Sequence, residues 1–280
     1  MVRFYTFNFP IDKGKGRVFK LAKRFCRKFP RDVVVPTRDG RKLRVSFRDW
    51  ADDLIYFLGT YESFCTEIIC KYIKKDRVYL DVGANIGWYT TLFQTHCGEK
   101  GEVHAFEPVP TTFAELEQNV DLNNNRSRVT LNNFGLGDEE CEMDIHVFPE
   151  FPGGHASLAA NANHRAINIP IKIKTVNRYL SEKQINHVDF VKVDIEGAEL
   201  MFLKGATRLF EQKTPPVMLM EMSPETSEAL DHKPDDLITF IRSRADYDFF
   251  ALDEKRRRLI PLKVFEDGSE GANVLCVPRT

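Results

Sequence analysis

Apolar positions along the chain follow two periods. Short, largely apolar runs, Val78–Val82, Val188–Val193 and Val217–Met220, together with the mixed Glu102–Phe106 and Val129–Asn133, read as strands. Between them apolar residues return every three or four positions, which predicts helices over Ile86–Cys97 and Thr112–Asn123 and from about Glu199 to Phe210. Thr111 or Thr112 is placed to cap the second of these, with Glu115 at capping-box spacing from Thr112. Strand and helix alternate, as in a parallel sheet covered on both faces. Asp235 or Asp236 caps a helix over Leu237–Arg244, and short strands near Phe249–Leu252, Leu259–Pro261 and Asn273–Val277 close the pattern.

Two regions depart from that rhythm. Val33–Val35 and Lys42–Phe47 flank Thr37-Arg-Asp-Gly40, whose Asp-Gly step predicts a small hairpin, and Asp52–Ile73 is helical with a break at Gly59. Further on, Glu142–Phe148 and the alternating Ile167–Ile173 form an expected antiparallel pair around Pro152-Gly-Gly154. This insertion, about 139–175, is placed to supply substrate contacts over the sheet's carboxyl edge. The reading divides the chain into a basic extension with helix and hairpin, 1–50, and an α/β domain, 51–280.

The chemistry concentrates after the first strand of the alternating region. Val78–Val82 runs into Gly83-x-x-x-Gly87, and the next strand ends in Glu107-Pro108. A strand, a glycine turn and an acid closing the following strand are the layout of a nucleoside half-site, in which the acid accepts from both ribose hydroxyls. The dinucleotide pattern G-x-G-x-x-G wants glycine where this chain has Asn85, so the turn favours the smaller zwitterion S-adenosylmethionine over NAD or FAD. Asp81 can approach the amino-acid portion of such a ligand. The plainer alternative is an ordinary tight βα turn. Three strands end in acids, Asp81, Asp194 and Glu221, and parallel strands bring such ends to one edge.

Composition narrows the class. The 280 residues are 42% hydrophobic with a net charge of -1, which fits one large globular domain with an appendage. No apolar run approaches the roughly 20 residues of a membrane span, and the first residues lack a secretory apolar core. Six cysteines lack C-x-x-C spacing, so a reducing cytoplasm is expected. Residues 1–48 nonetheless hold fifteen Lys or Arg against three acids, a local charge of +12. Within them Val18, Leu21, Ala22, Phe25 and Phe29 predict a basic amphipathic helix. It suits an anionic membrane surface, an anionic substrate or RNA, or simply a solvated face. No recognisable RNA module accompanies it, so nucleic acid is the least favoured partner. Oligomeric state leaves no mark.

Asp81-Val-Gly-Ala-Asn-Ile-Gly87, Phe106-Glu-Pro108, Gly135-Leu-Gly-Asp138 and Lys192-Val-Asp-Ile-Glu-Gly-Ala-Glu199 resemble, in order and spacing, the motifs of FkbM-family methyltransferases. The resemblance spans roughly residues 50–225. It implies a Rossmann-like class I methyltransferase sheet, S-adenosylmethionine as donor, and O-methylation of a hydroxyl on a sugar, glycan or natural product. Asp81, Gly83, Ala84, Asn85 and Gly87 then surround the methionine part, and Glu107 with Pro108 meets the ribose. Phe134 and Gly135 lie toward adenine, supported by Asp138.

Methyl transfer asks the protein to align an acceptor oxygen and take or share its proton. Asp194 is the first candidate base, Glu196 and Glu221 the alternatives, and Lys192 lies on the strand face of Asp194, where it can lower or orient that acid. His155, in the glycine-rich insertion, is a candidate base brought in by loop closure. Glu199 can serve a helix N-terminus instead. The acids lack a spacing that specifies a metal, and none is expected. Ribose 2′-O-methylation of RNA and non-catalytic nucleoside binding stay open as alternatives.

Overall fold

The computed structural model describes residues 32–47, 50–148, 156–158, 165–265 and 271–279. The basic helix expected over 18–29 and His155 lie outside these residues. A hairpin, β1 (Val33–Pro36) and β2 (Lys42–Val45), precedes α1 (Trp50–Leu58) and α2 (Ser63–Tyr72). Then come β3 (Val78–Val82), α3 (Trp88–His96), β4 (Glu102–Phe106), α4 (Pro110–Asp121), β5 (Val129–Asn132) and β6 (Gly135–Leu136). The insertion carries β7 (Cys141–Val147), β8 (Ala156–Ser157) and β9 (Ile167–Lys174), followed by α5 (Val176–Glu182), β10 (Phe190–Val193) and α6 (Glu199–Gly205). The remainder is β11 (Val217–Met222), α7 (Pro224–Glu228), α8 (Pro234–Arg244), β12 (Tyr247–Asp253), β13 (Arg258–Pro261) and β14 (Ala272–Pro278).

Eight strands form one sheet in the order β13-β12-β14-β11-β10-β3-β4-β5. From β5 to β11 all pairings are parallel, while β14, β12 and β13 are antiparallel to their neighbours. The direction of strand addition reverses between β3 and β10, and the carboxyl ends at such a switch point are where open α/β sheets bind ligands. Both faces are apolar because both are covered. Leu80, Val82, Val191, Val193, Met218 and Met220 face a core that includes residues of α5, α6 and α8. Tyr79, Val103, Ala105, Phe190 and Leu219 face residues of α2, α3 and α4. Burial of this size is the main stabilising contribution.

The predicted hairpin is present, with Val33 opposite Val45 and Gly40 at a φ of +87° in its turn. Arg41 fixes it to the sheet domain. Its side chain is fully buried, pairs with Asp39, donates to the Trp88 carbonyl at 2.5 Å and to Thr91 Oγ1 at 2.8 Å, and stacks 4.3 Å from the Trp88 ring. Asn119 of α4 and Asn123, just past its end, accept from the β2 backbone at Arg44 and Lys42. The helical break at Gly59 is also present, at a φ of +67°.

The insertion is richer than a strand pair. β7 and β9 pair antiparallel as expected, and the two-residue strands β6 and β8 extend them into a four-stranded sheet, β6-β9-β7-β8. Helix ends differ from expectation for identifiable reasons. α3 starts at Trp88, because Gly87 at a φ of +94° cannot be helical. α4 starts at Pro110, whose ring presets the first helical φ, so Thr112 and Glu115 lie inside the helix and form no capping box. Likewise α8 starts at Pro234, and Asp236 Oδ2 accepts from the Lys233 N–H at 2.8 Å from the third helical position. The helix expected to run to Phe210 stops at Gly205, where a Cβ would lie 1.9 Å from the Gly137 carbonyl, and a 3₁₀ turn, Thr207–Leu209, continues it. Helices α5 and α7 had no clear signal in the apolar pattern. Among the described residues no helix is long and apolar enough to cross a membrane.

Candidate active site

A cavity of about 300 Å³ opens at the carboxyl ends of β3, β4, β10 and β11. The turn after β3 forms one wall. Gly83 and Ala84 both donate backbone N–H groups to the Phe106 carbonyl, at 3.0 and 2.9 Å, tying the turn to β4. Gly83 has a φ of +77°, and a Cβ there would lie 1.8 Å from the Asp194 carbonyl, so glycine is required for the turn to pass β10. Gly87 is required on the other side, where a Cβ would meet Leu116 at 2.7 Å, and it lies off the cavity wall. Asn85 lines the cavity, exposed, in the left-handed conformation at a φ of +48° that asparagine tolerates better than most residues.

Glu107 joins the two loops. Its Oε2 accepts from the Asn85 N–H at 3.0 Å and its Oε1 from the Val109 N–H at 2.9 Å. Burial pushes its carboxyl up to about 7, against the pull of those backbone donors. Each oxygen keeps lone-pair capacity, and the side chain lines the cavity beside Pro108, so two vicinal hydroxyls can be received there.

Asp81 is the residue expected beside the amino-acid portion of the donor. It does not line the cavity; it is buried beneath the turn and accepts from Thr90 Oγ1 at 2.5 Å. As the penultimate residue of β3 it shares the sheet face of Lys192, its partner in register, and points toward α3. Burial pushes its carboxyl up to about 6. Its role is to hold the first turn of α3. Phe134 is likewise off the cavity wall, packed edge-on to Phe106 with Lys174 Nζ 5.1 Å from its ring, while Gly135 and Leu136 take the wall position. Asp138 is exposed and off the wall, beyond the backbone packing between Gly137 and Gly205.

The opposite wall is acidic. Asp194, Glu196 and Glu221 all line it, so the ends of β10 and β11 do converge. Lys192 lies beneath them, fully buried, and donates to Asp194 Oδ2 at 3.1 Å and to Asn273 Oδ1 at 3.2 Å, with the Tyr89 ring centred 5.5 Å away. Burial works against its charge, but Asp194, Glu62 and Glu221 outweigh it and raise the lysine above its ordinary range. An isolated buried ammonium would be costly; this one is paired and hydrogen-bonded. Asp194 is thereby fixed at the mouth of the cavity with part of its carboxylate exposed.

Glu221 stands in contrast. The nearby Asp194 charge, then burial, push its carboxyl up to about 9, and its Oε2 is buried without a hydrogen-bond partner. Glu199 is no wall residue. Its Oε1 accepts from the Ile195 and Gly197 N–H groups at 3.1 and 3.3 Å, clamping the turn that presents Asp194 and Glu196. The sequence reading placed it at a helix N-terminus, and it begins α6, but its contribution is these two hydrogen bonds. Glu196, on the clamped turn, adopts a φ of +52°.

Glu62 and Tyr89 complete the wall. The Tyr89 hydroxyl donates to Glu62 Oε2 at 2.5 Å, and burial raises the Glu62 carboxyl. Neither stood out in the sequence: Glu62 reaches the cavity only through a left-handed φ of +41° between α1 and α2. Ile145, Ile171 and Ile173 of the insertion sheet supply an apolar side. Among the described residues no group of three or more His, Cys, Asp or Glu side chains is arranged to hold a metal ion.

The Methyltransferase FkbM domain matches residues 81–249, from the buried acid of β3 to β12. The chain belongs to the FkbM methyltransferase family. Its fold is the class I, Rossmann-like methyltransferase fold, and its donor is S-adenosylmethionine. The chain is 29% identical over 182 residues to Methyltransferase 1 of Beauveria bassiana, covering 55% of this chain and 72% of that protein. It is 32% identical over 141 residues to the hexuronic acid methyltransferase AglP of Haloferax volcanii, covering 49% of this chain and 53% of that one. The crystal structure of methyltransferase FkbM from Methylobacillus flagellatus KT is similar with a TM-score of 0.49 and 18% identity, over 81% of this chain and 55% of that chain. The chain thus spans about half the length of AglP and of the Methylobacillus protein.

The cavity fits the family's donor on its own geometry. Glu107 offers a carboxylate to paired hydroxyls, the Gly83–Ile86 turn offers a narrow shelf beside it, and the far wall offers carboxylates to a cationic centre.

Proposed function

We propose that this FkbM-family chain is an O-methyltransferase acting on a hydroxyl of a sugar, glycan or hydroxylated natural product. Glu107 and the Gly83–Ile86 turn hold the donor, with Pro108 and Gly135 beside them. The acceptor hydroxyl lies against Asp194. Bound S-adenosylmethionine supplies a methyl group already activated by a sulfonium leaving group. What remains for the protein is alignment and care of one proton.

The observation that carries the reading is the Lys192–Asp194 pair: a partly exposed carboxylate at the cavity mouth, fixed by a lysine with no exposed surface. Its orientation is set before any ligand arrives, so the ordering cost is already met. The Asp194 charge and burial push the Glu221 carboxyl up, whereas Asp194 is held by Lys192 with part of its carboxylate exposed, so Asp194 is the favoured base. Lys192 is a positioning residue. The relative AglP, named for a hexuronic acid, supports a sugar acceptor.

Two variants test this. Glu107→Ala weakens S-adenosylmethionine binding measured by calorimetry, while Asp194→Asn leaves that binding near wild type and lowers turnover on the order of 100-fold. Equal losses of donor affinity in both variants would place Asp194 with the donor and remove it as the base.

A further inference from the structure

β10 and β11 run parallel with Val193 opposite Met220, so the residues that follow, Asp194 and Glu221, lie side by side, with their backbones roughly 4.8 Å apart. Side chains at such neighbouring positions share a sheet face, and both of these line the cavity. Their hydrogen bonding differs. The Lys192 ammonium has three N–H donors, and the Val193 carbonyl, Asp194 Oδ2 and Asn273 Oδ1 take them at 3.4, 3.1 and 3.2 Å. None is left for Glu221, although Asn273 lies opposite it in the pairing of β11 with β14. Among the described residues Glu221 Oε2 is buried without a hydrogen-bond partner.

We propose that the acceptor carries a second hydroxyl on the carbon next to the reacting one, and that Glu221 receives it while Asp194 receives the hydroxyl that is methylated. Glu221 is then a specificity residue, deciding which hydroxyl of a polyol reacts. This rests on the reading of the cavity as the site of methyl transfer. The second hydroxyl keeps its proton and forms no covalent bond; it fixes the ring against the wall.

Three features support the assignment. A buried oxygen without a partner costs free energy until a ligand group reaches it, and the lysine that could have answered Glu221 is fully used by others. The nearby Asp194 charge, then burial, push Glu221 toward its neutral form, which both donates and accepts. A hydroxyl matches it, since it too gives one proton and offers lone pairs. Finally, the two acids lie on one wall, so both hydroxyls must face the same way. Hydroxyls on adjacent ring carbons do so, whereas hydroxyls across a ring point apart.

The test uses the full chain saturated with S-adenosylhomocysteine. Calorimetry measures the binding of cyclohexane-1,2-diol, cyclohexane-1,4-diol and cyclohexanol, each diol as its separate cis and trans isomers. The diols have the same composition and differ in where the second hydroxyl points. One isomer of the 1,2-diol binds at least about threefold more tightly than either 1,4-diol and than cyclohexanol, the factor supplied by one neutral hydrogen bond. Glu221→Gln, which keeps a donor and an acceptor, preserves that preference, and Glu221→Leu abolishes it, with thermal unfolding verifying the fold. A merely structural glutamate would change all the affinities together. If Glu221→Leu fails to fold, the wild-type preference decides. Equal binding of the 1,2- and 1,4-diols overturns the proposal and means that water meets Glu221. A preference that survives Glu221→Leu overturns it too, by giving the second hydroxyl to another group. No binding of any ring removes the proposal and leaves the donor site standing. Only failure to bind S-adenosylhomocysteine brings down both readings.

Discussion

Glu199 shows how one buried acid shapes both stability and the site. It accepts two backbone N–H bonds, yet burial raises its carboxyl from an ordinary 4.5 to about 7. The folded protein thus binds a proton more readily than the unfolded chain between those values, and stability falls as pH rises through that window. Glu199→Gln keeps an acceptor for the same N–H groups without the charge. At pH 8 the variant is more stable than wild type by on the order of 2 kcal/mol in urea unfolding, and the difference vanishes near pH 4.5. Gly83 permits no such exchange. Gly83→Ala forces a Cβ to within 1.8 Å of the Asp194 carbonyl at a φ of +77°, and the denaturation midpoint drops by the equivalent of at least about 2 kcal/mol. At this scale the sequence was informative where chemistry and strand end coincide, as at Glu107, Asp194 and Glu221. It did not indicate that Asp81 lies buried beneath the turn, because one residue of strand parity turns a side chain from the edge into the core. It pointed to the Tyr56–Phe64 region for substrate contacts without singling out Glu62, whose position follows from a left-handed turn that no periodicity encodes.

Among elements, the hairpin is the one whose attachment is most local. Arg41 reaches from its turn to the Trp88 carbonyl and Thr91 on the first turn of α3, the helix that follows the cofactor turn. Arg41→Met leaves Asp39 without its cationic partner and detaches the hairpin from α3, at a cost of about 2–4 kcal/mol. Hydrogen exchange then rises first at the amides of Lys42 and Arg44, which Asn123 and Asn119 hold, before it rises in β3. The hairpin itself was readable from Asp-Gly; its buried arginine was not, since a charged residue in a basic stretch reads as solvated. The same limit applies to helix starts. Pro110 and Pro234 set them, whereas the threonines and aspartates that read as caps lie within the first turn, from which Asp236 still accepts from the Lys233 N–H. The insertion's two long strands followed from alternation, but β6 and β8 are two residues each, too short to carry a period.

For the whole molecule, the alternation of buried strands and amphipathic helices foretold the parallel half of the sheet, since each such strand must be apolar on both faces. It could not foretell the order of the last three strands, which depends on which edge remains open. The cavity's described lining comes entirely from residues 51–221, so deletion of residues 1–31 is expected to leave S-adenosylmethionine affinity within about twofold of wild type in calorimetry. Binding to anionic liposomes, if the basic segment mediates it, is lost in the same deletion.

β14, the last of the described strands in sequence, lies inside the sheet between β11 and β12, and supplies Asn273 to Lys192. During synthesis the strands that carry the site therefore emerge well before the residue that completes the lysine's hydrogen bonds. Until Ala272–Pro278 leaves the ribosome, β11 exposes an unpaired edge and Lys192 lacks one acceptor. Ala272–Pro278 thus act as the latch on the folding of this sheet, and a stop codon shortly before Ala272 would leave a nascent protein prone to aggregation rather than a slightly shortened enzyme.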